Sequence, residues 1–414
     1  MLALVLALLL VPAANTWTVD DDGPADFTQI TDAIAEAASG DVLLVEPGTY
    51  SAFALTRRLT ILGRAGGDRP HVEGVTEVSA LGFTLAGLAF DALQVSGAPD
   101  RARIDDCSVG LDGDAEVPWA LTVDGCQQLV VSRTQVRGSK AYSQTQQFGI
   151  GGSGLLVSTS IATLVQCAID GASGFDAPSV GYVGGDGGIA LRLEDGSRAV
   201  VVASHLKGGR QGLSSTQTCI FGANGSGLSV FNSLAILRGA PAYDSSVAAG
   251  DVFSGCTFQT DPGIIVIGGT LVISGVAFIP TDVYFDDSTL IEPAVPEPLV
   301  LIDGSDAPGG QRHIRLHGPA GQSCLLVASL APAYATLGAF DDKLWVGVSG
   351  VHFIVPLVTL GQATPLTLNW NVPASTVGLE GVCVELQPFF PGLASAYAPG
   401  TSIAGNVAEL IVRF

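Results

Sequence analysis

Four short stretches decide how this chain folds: Asp105-Asp106-Cys107-Ser108-Val109-Gly110, Ser132-Arg133-Thr134-Gln135-Val136-Arg137-Gly138, Val165-Gln166-Cys167-Ala168-Ile169-Asp170-Gly171 and Ala203-Ser204-His205-Leu206-Lys207-Gly208. Each carries a small or sulfur-bearing residue, a spacer, an apolar residue and then glycine. Weaker copies surround Leu88, Ala235, Cys256 and Val276, so the equivalent positions run 88, 107, 134, 167, 204, 235, 256 and 276, with intervals of 19, 27, 33, 37, 31, 21 and 20 residues. A minimum near 20 with variable insertions indicates a coil that closes one turn per repeat and lets its loops vary in length. Between these positions lie short Leu-rich or β-branched runs, such as Ala199-Val-Val-Val202, and no sustained helical period. The expectation is stacked parallel strands, with the column of small residues inside.

Working outward, Asp26 to Ala38 has apolar residues at helical spacing and is closed by Gly40. It reads as a short capping helix over the first turn, which would otherwise expose backbone and core. Strands are expected at Asp41–Val45 and Leu59–Gly63, with a turn at Pro47-Gly48. Beyond the coil, residues 293–304 contain Pro293, Pro296 and Pro298 with the acids Glu297 and Asp303 and no base, and read as a linker. Seven turn-bounded runs in 305–414 then predict a small antiparallel β-sandwich.

The string Asp26-Phe27-Thr28, Ile30, Ala33-Ile34, Gly40-Asp41, Val45, Pro47-Gly48-Thr49-Tyr50 and Leu59-Thr60-Ile61 resembles the opening of right-handed parallel β-helix proteins of the pectate-lyase-like superfamily, in its secreted bacterial form. With the repeat, the resemblance spans about residues 17–292. It implies an all-β fold: a right-handed parallel β-helix with an N-terminal helical cap. A role on carbohydrate is implied only loosely, since one fold hosts many functions.

Composition narrows that role. The chain has 414 residues, 18 Lys+Arg and 39 Asp+Glu, and a formal net charge of −21. Such a surface repels phosphate backbones, so nucleic acid is excluded as an expected partner. Leu2–Val11, followed by Pro12-Ala13-Ala14, reads as a signal peptide over residues 1–14, which places the mature protein outside the cell or on its surface. Its apolar run is shorter than the ~20 residues of a membrane span, and a monomer is expected. Seven cysteines make an odd count; Cys324 and Cys383, alone in the C-terminal region, are the candidate disulfide.

Chemistry is harder to place. Asp105-Asp106 matches a hydrolase carboxylate pair, but the repeat register explains it, and the His317-Gly318 pair lies outside the coil, which contains no Arg-x-Lys. Arg137, Asp170, Lys207 and Arg238 follow the repeated column on successive turns and are read as one charged row. This is either an ion-pair ladder or a site for an acidic glycan. Insertions after Gly138, Gly171, Gly208 and Gly239 leave from one corner of the coil and bring Tyr142, Tyr182, Tyr243 and Arg210 as candidate contacts. No cofactor is expected; Asp112, Asp114 and Glu116 form a weak candidate set for Ca²⁺. Three readings stay open: a secreted, non-catalytic β-helix that binds carbohydrate or serves as a cell-surface structural element, a polysaccharide lyase or glycoside hydrolase, and an adhesin-like surface protein.

Overall fold

The computed structural model describes residues 14–110, 117–139, 150–176, 184–212, 223–239, 246–249, 262–279, 283–293, 298–305, 307–319 and 321–329, with shorter stretches from 332 to 413. The chain is a parallel β-helix followed by antiparallel sheets. By contacts it divides into two compact units, residues Met1–Pro47, Arg58–Arg69 and Glu292–Phe414 forming one and Gly48–Arg57 with Pro70–Ile291 the other.

The coil proper lies in the second unit. One of its sheets stacks Phe83–Ala86, Arg101–Asp105, Gln128–Ser132, Ile161–Val165, Arg198–Val202, Leu234–Arg238, Thr270–Ser274 and Thr289–Ile291, every pair parallel. Val130, Thr163, Val200, Ile236 and Val272 are buried as well as their inward neighbours Leu129, Ala162, Ala199, Ala235 and Leu271. Both faces of this sheet are therefore covered, which is why its strands read as unbroken aliphatic runs. The other sheet starts with the short strands Thr49–Ser51 and Ala54–Leu55 and continues with two long ones, His71–Val78 and Ala89–Ser96. In later turns each such strand is split, as in Gln135–Arg137 and Ser153–Ser158, or Ala168–Asp170 and Leu191–Glu194, with the insertion between the halves.

Two corners of the coil bend through left-handed backbone on most described turns. One column holds Gly87, Asp106, Arg133, Gln166, Ala203 and Gly275; the other holds Gly97, Gly125, Thr159, Asp195, Asn232, Gly268 and Asp287, all with φ between 46° and 68°. Just after several of these corners a hydroxyl side chain ties turn to turn. Thr134 Oγ1 donates to Ser132 O (2.8 Å) and accepts from Cys107 N–H (3.3 Å); Ser204 Oγ donates to Val202 O (2.8 Å) and accepts from Cys167 N–H (3.0 Å). At the other corner the chain of bonds runs Cys126 N–H to Ser160 Oγ (2.9 Å), Ser160 N–H to Ser197 Oγ (3.2 Å) and Ser197 N–H to Ser233 Oγ (3.1 Å). The small-residue column expected from the sequence is thus a hydrogen-bond ladder as well as packing.

The register corrects that column in its second half. His205 pairs with Ser246, and Ser246 with Ala277, so the turn after Ser204 re-enters this sheet at Ser246 and not near Ala235. Ala235 instead stacks on Ala199 in the first sheet, and Cys256 lies outside the described residues. The motif around Ala235 matched because both sheets present alternating aliphatics before a glycine.

In the first unit the helix is confined to Ile30–Glu36, with Ile30, Ala33 and Ile34 buried. Parallel strands Thr16–Val19, Val42–Val45 and Thr60–Gly63 pair beside it. Asp41 anchors this end: its carboxylate accepts Asn15 N–H, Trp17 Nε1–H and Ala38 N–H at 2.9, 3.1 and 2.9 Å. Burial alone would raise its pKa, yet these bonds hold it below the ordinary value. Leu299–Gly304, in the stretch expected to be a linker, is a buried strand that pairs antiparallel with Gln311–His317. That three-stranded sheet and a five-stranded one centred on Ser323–Ser329 share an apolar cluster of Val300, Ile302, Ile314, Leu316, Cys324, Leu326, Leu386 and Phe390. Buried Arg413 donates to Gly63 O and Arg64 O, tying the chain's last residues to its first strands.

Cys324 and Cys383 are thiols, not the expected disulfide. Leu325 pairs with Phe389 and Ser329 with Glu385, which puts Cys383 about seven positions, or roughly 23 Å, along the strand from Cys324's neighbour. A disulfide needs Cα atoms within about 7 Å.

Candidate functional site

The insertions leave the coil as a bundle of glycine-rich extended segments: 138–139, 151–154, 171–175, 184–190, 207–212 and 223–227. Their hydrogen bonds recur every third residue. Gly171 and Gly174 N–H donate to Lys207 and Arg210 O (2.9 and 2.8 Å), Gly188 and Gly185 to Ala172 and Phe175 O (2.8 and 2.9 Å), and Gly209 and Gly212 to Gly188 and Gly185 O (2.7 and 2.8 Å). The pattern continues from Gly187 and Ala190 to Ala223 and Ser226 O, and from Gly151 and Gly154 to Asp186 and Ile189 O. A β-ladder repeats every two residues; a three-residue repeat is that of the polyproline II helix, which has no internal hydrogen bonds and satisfies its backbone through neighbours.

Glycine is required here for space. A Cβ on Gly171, Gly174, Gly187, Gly188, Gly208, Gly209 or Gly225 would fall on a neighbouring carbonyl oxygen, well inside van der Waals contact. The string Gly151-Gly-Ser-Gly154 supplies one member of this bundle.

The predicted charged row stands at the bundle's foot. Arg137, Asp170 and Lys207 are in register on three successive turns, each followed by the glycine that starts a bundle segment. Arg137 is exposed and the other two are half-buried. Asp170 Oδ1 is buried with no hydrogen-bond partner among the described residues. The row ends there, because the residue in register with Lys207 on the next turn is Ala248. Arg238 is not part of it: it lies in the other sheet, opposite Val202 and Ser274, and is 1% exposed. Arg210 lies on the bundle, 3.8 Å from Asp176 of the adjacent segment. Tyr142, Tyr182 and Tyr243, and the candidate metal set Asp112, Asp114 and Glu116, lie outside the described residues.

Where the bundle segments return into the long half-strands, a second feature appears that the sequence reading missed. Arg192 sits over Phe231, its guanidinium carbon 4.6 Å from the ring centroid, and Glu194 accepts a 2.8 Å hydrogen bond from its Nε–H. Arg192 is in register with Leu156 on the turn before, and Phe231, on the turn after, is in register with Ile267. The stacked guanidinium and ring form a partly apolar surface with the Glu194 carboxylate beside it. Only the parallel register brings Arg192 and Phe231 together, and no linear motif marks the pair.

The interior thiols are inert by environment. Burial pushes Cys167 up to about 12 and Cys126 to about 11, and both act as weak donors to carbonyls of the ladder. Asp20, Asp21 and Asp22 bring carboxylate atoms within 4.8 Å of one another, the closest group of acids among the described residues, and nothing further there points to a cation. No helix among those residues is long and apolar enough to cross a membrane.

No family model and no curated protein matches the chain. Among solved structures it is similar to the enzymatically active domain of tailspike protein 2 of bacteriophage CBA120, at 10% identity over 97% of this chain and 71% of that one, with a TM-score of 0.32. The full-length tailspike protein 2 of an Escherichia coli O157:H7 bacteriophage is similar at 12% identity over 84% of this chain, with a TM-score of 0.27, and this chain spans about half its length at 48%. The fold assignment rests on the strand registers, and nothing about activity follows from these likenesses.

Proposed function

We propose that the protein is a secreted or surface-held recognition module that binds an acidic or hydroxyl-rich glycan without turning it over. The observation that carries this reading is the buried, unsatisfied Oδ1 of Asp170 in the row Arg137–Asp170–Lys207, at the foot of the glycine bundle. An unmatched buried carboxylate oxygen is costly, and a sugar hydroxyl is a donor of the right size to satisfy it. The flanking cations suit a uronate or other acidic substituent. On the other side of the segments' path, the Arg192–Phe231 pair offers a partly apolar surface on which sugar faces stack. A rigid coil carries these groups at fixed spacing, so little ordering entropy opposes binding.

The test is a polysaccharide and glycan-array screen of the full chain, with Ca²⁺ and with chelator, reading binding, unsaturated products and reducing ends together. Binding without products, reduced at least tenfold in Asp170→Ala and in Arg137→Ala, is the expected result. Products that disappear in Lys207→Ala would replace this reading with a lyase or hydrolase. Binding unaffected by all three variants would remove the row from the site.

A further inference from the structure

The coil closes its apolar core on every described turn except the last. Ile264, Val266 and Leu271 are each 0% exposed, whereas the residues stacked in register on them, Val283, Phe285 and Leu290, are 39%, 36% and 43% exposed. Tyr284, on the outward side, is 50% exposed. The strands that hold them, Val283–Asp286 and Thr289–Ile291, are the terminal members of the two parallel sheets among the described residues. One edge of each therefore presents backbone donors and acceptors beside uncovered core, the arrangement that natural sheets otherwise blunt or cover. Charge beside it has one sign: Asp286 and Asp287 are exposed at this rung, and no Lys or Arg occurs between Arg238 and Arg312.

We propose that this end of the coil docks an extended segment of a cationic partner protein, which adds as the next parallel rung. Alternate apolar side chains of the segment cover Val283, Phe285 and Leu290, its backbone pairs with the open edge, and flanking Lys or Arg residues meet the acidic rim. A second copy of this chain brings the same acidic rim and is disfavoured by like-charge repulsion. The inference is independent of the glycan reading, since it uses none of the residues at the foot of the bundle.

The test uses the full chain and two fluorescent peptides with the same alternating valine–threonine centre, one flanked by lysines and one by glutamates. Anisotropy is recorded at about 50 and about 500 mM salt, a range over which screening between exposed charges changes strongly. The lysine-flanked peptide is expected to bind at least tenfold more tightly than the other, to weaken at the higher salt, and to lose binding in Val283→Lys and Phe285→Lys. Thermal melts of both variants check that the remaining turns stay folded. Equal or absent binding of the two peptides, or binding that survives both substitutions, overturns the proposal. Concentration-dependent dimerisation in sedimentation that Phe285→Lys abolishes would assign the end to a second copy and overturn it as well.

Discussion

Gly209 donates its N–H to the carbonyl of Gly188 at 2.7 Å, and a Cβ on Gly209 would fall on the carbonyl oxygen of Ala172. Hydrogen bonding and close approach at one residue thus make glycine a requirement at this contact. Gly209→Ala is expected to push the segments apart at a cost of about 1–3 kcal/mol or more, as for other overpacked sites. Because the insertion lies outside the coil's ladder, calorimetry should show the main transition retained while glycan binding falls. A variant with unchanged melting and unchanged binding would contradict the packing described here.

The ladder at the second corner gives a cleaner energetic test. Ser160 Oγ accepts from Cys126 N–H and donates to Ser158 O at 2.6 Å. Ser160→Ala leaves a buried N–H without its partner, so urea unfolding should show a loss of about 1–3 kcal/mol. Ser160→Thr, which restores the hydroxyl, should recover a part of it.

Asp105 is fully buried and is bonded by Ser132 Oγ at 2.6 Å and by Arg133. Removing the cation in Arg133→Ala strands the carboxylate, and a destabilisation of about 3–5 kcal/mol is expected. Adding Asp105→Asn to that variant should return more than half, a coupling that a double-mutant cycle measures directly.

Acid should loosen the N-terminal strands through Asp41. Its folded pKa is depressed, so the stabilisation is fully present above the ordinary 3.8 of the unfolded chain and is lost as pH falls through the folded value. Tryptophan fluorescence, which includes Trp17 beside Asp41, should therefore show an acid transition below pH 3.8. In Asp41→Asn the depression disappears, the protein is less stable at neutral pH, and this component of the acid transition is absent.

The turns of the coil were legible because Cys107, Thr134, Cys167 and Ser204 share a steric environment that the sequence repeats. The register was lost at Ala235 because an aliphatic run before glycine occurs in both sheets, and only pairing with Ala199 distinguishes them. Arg137, Asp170 and Lys207 were readable as one row for the same reason that Arg238 was misassigned to it. The glycine period of three, visible at Gly171/Gly174 and Gly209/Gly212, is a usable signal that the repeat analysis, concerned with the coil, does not draw on. The Arg192–Phe231 stack and the open rung at Val283 and Phe285 depend on pairing across turns and leave no local mark.

The most direct test of the account is amide hydrogen exchange on the native full chain, resolved for Gly174, Gly185, Gly188, Gly209 and Gly212. A hydrogen-bonded polyproline II bundle predicts slow exchange at these glycines, approaching that of Val157 and Leu193 in the coil. Exchange at the rate of an unstructured peptide would mean that the glycine segments are loops without mutual bonds, and the proposed recognition surface would lose its support.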